Sequence, residues 1–259
     1  MDTVTAYPES IMQLEKFIKG FRGIDVRCFD WDIPIRWGVL SDPFQPKEKQ
    51  EKVSLEMLRV FASSGYPFIV TTKSTLSTTY PYYDVLKSCN FVYQVSLTSE
   101  RLTREYESNL NNFKERLNSL EKMAKIAKRV VVRVSPFMPI DVPDIIKLLP
   151  TYKNSGVELV CYEEMRFFHK APNTVRDGQF YRYDERFIAP YFKVLKDETH
   201  ANNLIFGSAN GDYLSDDPAC CVGRVQGFMP HKACTRYHRG CREEFCFTAG
   251  QTAPRSGRC

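Results

Sequence analysis

The chain has 259 residues, enough for one large α/β domain or for a barrel fragment with an appendage. With 43% hydrophobic and 26% charged residues it has ordinary globular composition, which excludes a disordered chain. The net charge, 36 − 31 = +5, permits an anionic ligand or nucleic acid without requiring either.

The first ten residues lack the basic start and apolar core of a secretory leader, and no apolar run is long enough to span a bilayer. No membrane partner is expected, and a cytoplasmic location follows by default. In that reducing compartment the nine cysteines read as free thiols or metal ligands rather than disulfides. Cys28, Cys89 and Cys161 each stand beside apolar residues and read as small core side chains.

In chain order, Pro8–Phe21 carries a helical stripe of Ile11, Leu14, Phe17 and Ile18. Ile33–Leu40 reads as a strand, with Gly38 allowing a close backbone approach. Lys47–Ser63 is helical, closed by Gly65 and Pro67, and Phe68–Thr72 is a short β-branched strand. Tyr80–Ser88 is a short helix and Phe91–Leu97 the next strand. Leu110–Ala127 is a helix on the spacing of Leu110, Phe113, Leu117, Leu120 and Met123. Then follow strand Val130–Val134, helix Val142–Tyr152, strand Val157–Cys161, helix Arg182–Lys196 and a short strand Leu204–Phe206. The alternation predicts successive βα units with right-handed crossovers and about five or six strands, hence an open, partial barrel rather than a closed eight-stranded one. Residues 1–207 form this barrel part, and 208–259 are an irregular Cys-rich tail.

Strand-like runs end in small polar or charged residues, and in a parallel barrel such tips collect at one face. Ser41 and Asp42 follow Ile33–Leu40, where Pro43 and Pro46 force a turn; they can accept from an amine or a ribose hydroxyl, or cap the next helix. Lys73 ends a buried strand and either meets a ligand carboxylate or snorkels to solvent. Ser96 and Arg133 repeat the pattern. Arg133 can grip a carboxylate, or form a structural ion pair with Glu163 or Glu164.

The series W-G-V-L-S-D-P-F-Q-P (37–46), T-T-K-S (71–74), Q-V-S-L (94–97) and K-R-V-V-V-R-V-S-P-F-M-P (128–139) resembles the radical S-adenosylmethionine superfamily, in the branch containing spore photoproduct lyase. The resemblance covers roughly residues 8–165. It implies a partial (β/α)6 barrel that binds S-adenosylmethionine against a [4Fe-4S] cluster and generates a 5′-deoxyadenosyl radical. It further implies that Ser41 and Asp42 meet the methionyl amine, Lys73 and Ser96 the cofactor's carboxylate and ribose, and Arg133 the adenosyl or carboxylate end. The catalytic residues stay unassigned.

The departure from that pattern is large. Such proteins hold the cluster through C-x-x-x-C-x-x-C after the first strand, and this spacing occurs nowhere in the 259 residues. The resemblance therefore implies that the first strand and the cluster loop are missing, through a mis-called start, a gene split that puts the loop on a separate polypeptide, or a degraded remnant.

Cys220, Cys221, Cys234, Cys241 and Cys246, with His231 and His238, offer enough soft ligands for a metal, though not at zinc-ribbon spacing. Uncommitted thiols are the other reading. Nucleic acid is a further candidate partner, because Tyr80–Tyr83 and Phe180–Tyr183, with Arg182 and Arg186, could stack bases; core packing is the plainer reading. Two functions follow: the S-adenosylmethionine-binding part of a radical enzyme whose cluster comes from outside the chain, or a non-catalytic barrel subunit with a metal- or partner-binding tail.

Overall fold

The computed structural model describes residues 7–19, 34–107, 109–208 and 216. Helix α1 (Glu9–Ile18) leads into β1 (Ile35–Trp37), α2 (Glu48–Glu51), α3 (Val53–Ser64), β2 (Phe68–Thr72), α4 (Tyr82–Leu86) and β3 (Phe91–Ser96). Next come α5 (Glu100–Tyr106), α6 (Phe113–Ala124), β4 (Arg129–Phe137), α7 (Val142–Asn154) and β5 (Leu159–Glu164). A hairpin of β6 (Thr174–Asp177) and β7 (Phe180–Tyr183), helix α8 (Glu185–Ala201) and β8 (Ile205–Ser208) complete the described elements.

The main sheet has the order β1-β2-β3-β4-β5-β8, and each neighbouring pair is parallel. Every new strand is added on the same side of the last. A doubly wound sheet reverses direction and changes faces; this one does not, so all connections lie on one face and the sheet curls as part of a barrel. This is the open, partial barrel expected from the alternation of elements.

Strand residues alternate between two apolar clusters, as the two-residue period of a strand requires. Phe68, Val70, Phe91, Tyr93, Val95, Val130, Val132, Val134 and Val160 pack outward against the helices. Ile69, Val92, Val131, Leu159 and Cys161, with Ile205, pack on the inner face. Burial on both faces makes the strands near-continuous apolar runs, which is why they were legible.

Several boundaries shift for local reasons. The strand expected over Ile33–Leu40 keeps ladder pairing among the described residues only at Ile35–Trp37. At Gly38 φ is +93°, and a Cβ there would lie 2.1 Å from the Thr71 carbonyl oxygen, so the backbone can turn off the ladder only without a side chain. The single helix expected over Lys47–Ser63 breaks at Lys52, whose φ is 55°. Glu48 causes the break: its buried carboxylate turns back to accept from the Ser54 and Leu55 N–H groups, both at 2.9 Å, at the start of α3.

Helix α6 begins at Phe113 rather than Leu110 because Asn112 accepts from the Glu115 N–H at 2.9 Å while Glu115 reaches back to the Asn112 N–H. Arg182, expected in a helix, lies in β7; α8 starts only after Asp184 caps the Arg186 N–H. The hairpin and α5 were not anticipated. No described helix is long and apolar enough to cross a membrane.

Candidate cofactor-binding face

The inner face changes character along the strands. Near their N-terminal ends it is the apolar floor of Ile69, Val92, Val131 and Leu159. Toward the C-terminal ends the same alternation brings up Thr71 on β2, Gln94 and Ser96 on β3, Arg133 and Ser135 on β4, and Glu163 on β5. The pairings Thr71↔Gln94, Ser96↔Arg133 and Arg133↔Cys161 put these positions in register.

Arg36 on β1 takes part across the barrel. Arg36 and Arg133 both act electrostatically on the Cys161 thiol, each favouring its thiolate. Burial dominates that thiol, and its pKa is pushed up to about 11. Cys161 is thus a buried core thiol, held protonated.

Glu163 ties this layer together. Its Oε2 accepts from Arg133 Nη2 at 2.5 Å, Arg133 Nε at 3.2 Å and Ser135 Oγ at 2.5 Å. Arg133 is therefore in the ion pair that was its structural alternative. Burial alone would raise the Glu163 pKa; the guanidinium and the hydrogen bonds outweigh it and hold the carboxyl below its ordinary value of 4.5. A depressed folded-state pKa contributes stability that is full above the unfolded value and lost as pH falls through the folded one. Urea denaturation from pH 6 downward should show wild type losing stability more steeply than Glu163→Gln below about pH 4.5. Parallel curves would contradict this pairing.

The remaining strand-tip residues are held differently. Asp42 is an acceptor clamp: Oδ1 accepts from Phe44 N–H and Thr72 Oγ1, both at 2.8 Å, and Oδ2 from Lys73 N–H at 2.7 Å and Thr72 Oγ1 at 3.0 Å. It pins the loop after β1 to the end of β2. Ser41 is exposed and, with Asp42, lines a cleft of about 390 Å³ together with Arg36, Gly38, Leu40, Glu48 and Met57.

Lys73 Nζ is paired with the Glu107 carboxylate. The other Glu107 oxygen accepts from Arg116 Nη2 at 2.7 Å. Arg116 is fully buried and also donates to the carbonyls of Ser96 and Asn111, each at 3.0 Å. The Ser96 hydroxyl, also buried, donates to the Ser135 carbonyl at 3.3 Å.

The five residues singled out in the sequence thus fall into three settings at one end of the sheet. Ser96 and Arg133 are on the inner face, Asp42 and Lys73 are knotted at the tips of β1 and β2, and Ser41 shares the adjoining cleft with Asp42. Gln94, Thr71, Ser135, Glu163, Glu107 and Arg116 were not named as site residues. The inward ones carried a readable signal, a polar residue at an inward position of an otherwise apolar strand. Glu107 and Arg116 carried none, since on sequence they are ordinary surface charges.

Cys220, Cys221, Cys234, Cys241 and Cys246 lie outside the described residues. Of the stacking candidates, Tyr82 and Tyr183 are buried in the core, while Tyr80 is exposed. Phe180 packs its ring on the exposed Phe168 at 5.3 Å.

No protein-family model matches the sequence, and no curated protein matches it. Solved structures do. SuiB of Streptococcus suis, bound to S-adenosylmethionine, superposes with a TM-score of 0.55 at 11% identity over 81% of this chain and 45% of its own. A cysteine-to-alanine mutant of spore photoproduct lyase gives 0.54 at 14% identity, over 77% of this chain and 64% of the lyase. The same mutant with dinucleoside spore photoproduct gives 0.52 at 13%, with the same coverage. The chain spans less than two thirds of each of these proteins. At such identities the likeness establishes the fold alone: the open α/β barrel expected from the alternation of elements is shared with SuiB and spore photoproduct lyase.

Proposed function

We propose that this chain binds S-adenosylmethionine at the C-terminal end of its inner sheet face, as the cofactor-binding part of a radical-type enzyme. The supporting observation is the change from an apolar floor to a layer of Thr71, Gln94, Ser96, Arg133, Ser135 and Glu163 at the end of the strands where parallel barrels place ligands. A zwitterionic nucleoside fits such a face: Gln94 Nε2 is buried there without a hydrogen-bond partner, and cationic side chains stand at the strand tips. In this reading Lys73 and Arg133 serve the methionyl carboxylate and adenosyl ends, Ser96 the ribose, and Ser41 the amine. Asp42, its oxygens already engaged by the protein, holds the Ser41 loop in place.

The described residues do not fit a [4Fe-4S] cluster. Cys89 and Cys161 are buried in separate clusters on opposite faces of the sheet, and no group of three or more His, Cys, Asp or Glu residues that could hold a metal occurs among the described residues. With no C-x-x-x-C-x-x-C in the 259 residues, the cluster's ligands would come from outside them, and no step is derived through it. The purified chain, reconstituted with iron and sulfide, should bind S-adenosylmethionine in a calorimetric titration yet release no 5′-deoxyadenosine under reducing conditions. Absence of binding would overturn the cofactor site. Release of the nucleoside would overturn the placing of the cluster's ligands outside these 259 residues.

A further inference from the structure

One buried polar group on the inner face is left unanswered by the rest of the described molecule. Gln94 is 1% exposed. Its Oε1 accepts from the Thr71 hydroxyl at 2.8 Å, while its Nε2 has no hydrogen-bond partner. A buried N–H without an acceptor costs free energy, and native proteins seldom keep one unless something fills the need. The position is specific. Gln94 lies two residues below Ser96 and two above Val92, at the level where the apolar floor gives way to the polar layer, in register with Thr71 on one side and Val131 on the other. The Thr71 bond turns the carboxamide oxygen toward β2 and leaves the nitrogen for a third party.

We propose that Gln94 is the specificity-determining donor of this face, giving a hydrogen bond from Nε2 to an acceptor atom, a hydroxyl oxygen or ring nitrogen, on the nucleoside half of S-adenosylmethionine, with Thr71 as the residue that positions it. This rests on the cofactor reading above. The nucleoside half is chosen on charge and depth. The ligand's carboxylate is met by Lys73 at the tip of β2, whereas a neutral donor over Ile69, Val92 and Val131 suits an uncharged ring system that needs both apolar contact and one directed bond.

The test compares wild type, Gln94→Met and Thr71→Val by calorimetric titration with S-adenosylmethionine and by urea denaturation without ligand. Methionine keeps the side-chain length and removes the donor. Gln94→Met should bind about tenfold or more weakly, while its unliganded urea midpoint equals or exceeds that of wild type, because the unanswered donor is gone. Thr71→Val should weaken binding less, by about threefold. A merely structural glutamine would show the reverse, a lower midpoint in the unliganded protein. Wild-type affinity in Gln94→Met, or an affinity loss accompanied by a lowered midpoint, overturns the proposal alone. A wild-type chain that does not bind S-adenosylmethionine overturns the cofactor reading as well.

Discussion

Replacing Arg116 by alanine should destabilise the protein by about 3–5 kcal/mol, the largest loss expected from any single change in the charged network. Arg116 has no exposed surface and makes three anchoring contacts, to the Ser96 carbonyl, the Asn111 carbonyl and the Glu107 carboxylate. These join the end of β3 to the α5–α6 connection. Asn111 in turn accepts from the Thr75 N–H at 2.8 Å, which extends the tie to the segment after β2. Truncation leaves Glu107, about one-tenth exposed, with Lys73 as its remaining cation, and leaves two carbonyls without their donors. Arg116→Met with Glu107→Gln removes the buried charges together and should recover part of the loss, because a missing pair costs less than a broken one. Urea unfolding midpoints and slopes for the three proteins measure this. A single variant within about 0.5 kcal/mol of wild type would show that the network carries no stability.

Asp42 comes second, with an expected loss of about 3 kcal/mol for Asp42→Ala, since charge-assisted hydrogen bonds are worth about 1.5–3 kcal/mol each and some are replaced by water. The informative comparison is Asp42→Asn. Asparagine keeps one oxygen for the Phe44 and Thr72 donors but turns an NH₂ group toward the Lys73 N–H, where Asp42 now accepts at 2.7 Å. Two donors would face each other, so asparagine should be nearly as damaging as alanine. At a simple helix or turn cap, asparagine substitutes for aspartate at little cost. Urea denaturation separates the cases, and an asparagine variant close to wild type would reduce Asp42 to a local turn residue.

The strands were legible because burial on both faces forces near-continuous apolar runs; Phe68–Thr72 was read to the residue, and β3 to within one. What stayed hidden was set by distant partners. The break at Lys52 depends on a carboxylate folding back onto the next helix, and nothing in the sequence 47–52 departs from a good helix former. The hairpin β6–β7 turns at Gly178, whose φ is +63°, and α5 starts on Ser99, whose hydroxyl accepts from the Leu102 N–H. Both are short elements with local signals that the alternation of longer elements passed over. Among candidate site residues, position at a strand tip was readable, but partnership was not. Arg133 reads as a ligand-binding cation until Glu163 is found beside it, and Asp42 reads as a ligand until its acceptor sites prove to be occupied by Thr72, Lys73 and Phe44.

The most direct test of an S-adenosylmethionine site on the inner face is a calorimetric titration of the purified chain with that molecule, alongside Lys73→Ala and Arg133→Ala, with urea denaturation confirming that each variant is folded. Saturable binding by wild type, weakened about tenfold or more in each folded variant, is the expected result. Absence of binding, or affinity unchanged in both variants, would contradict it.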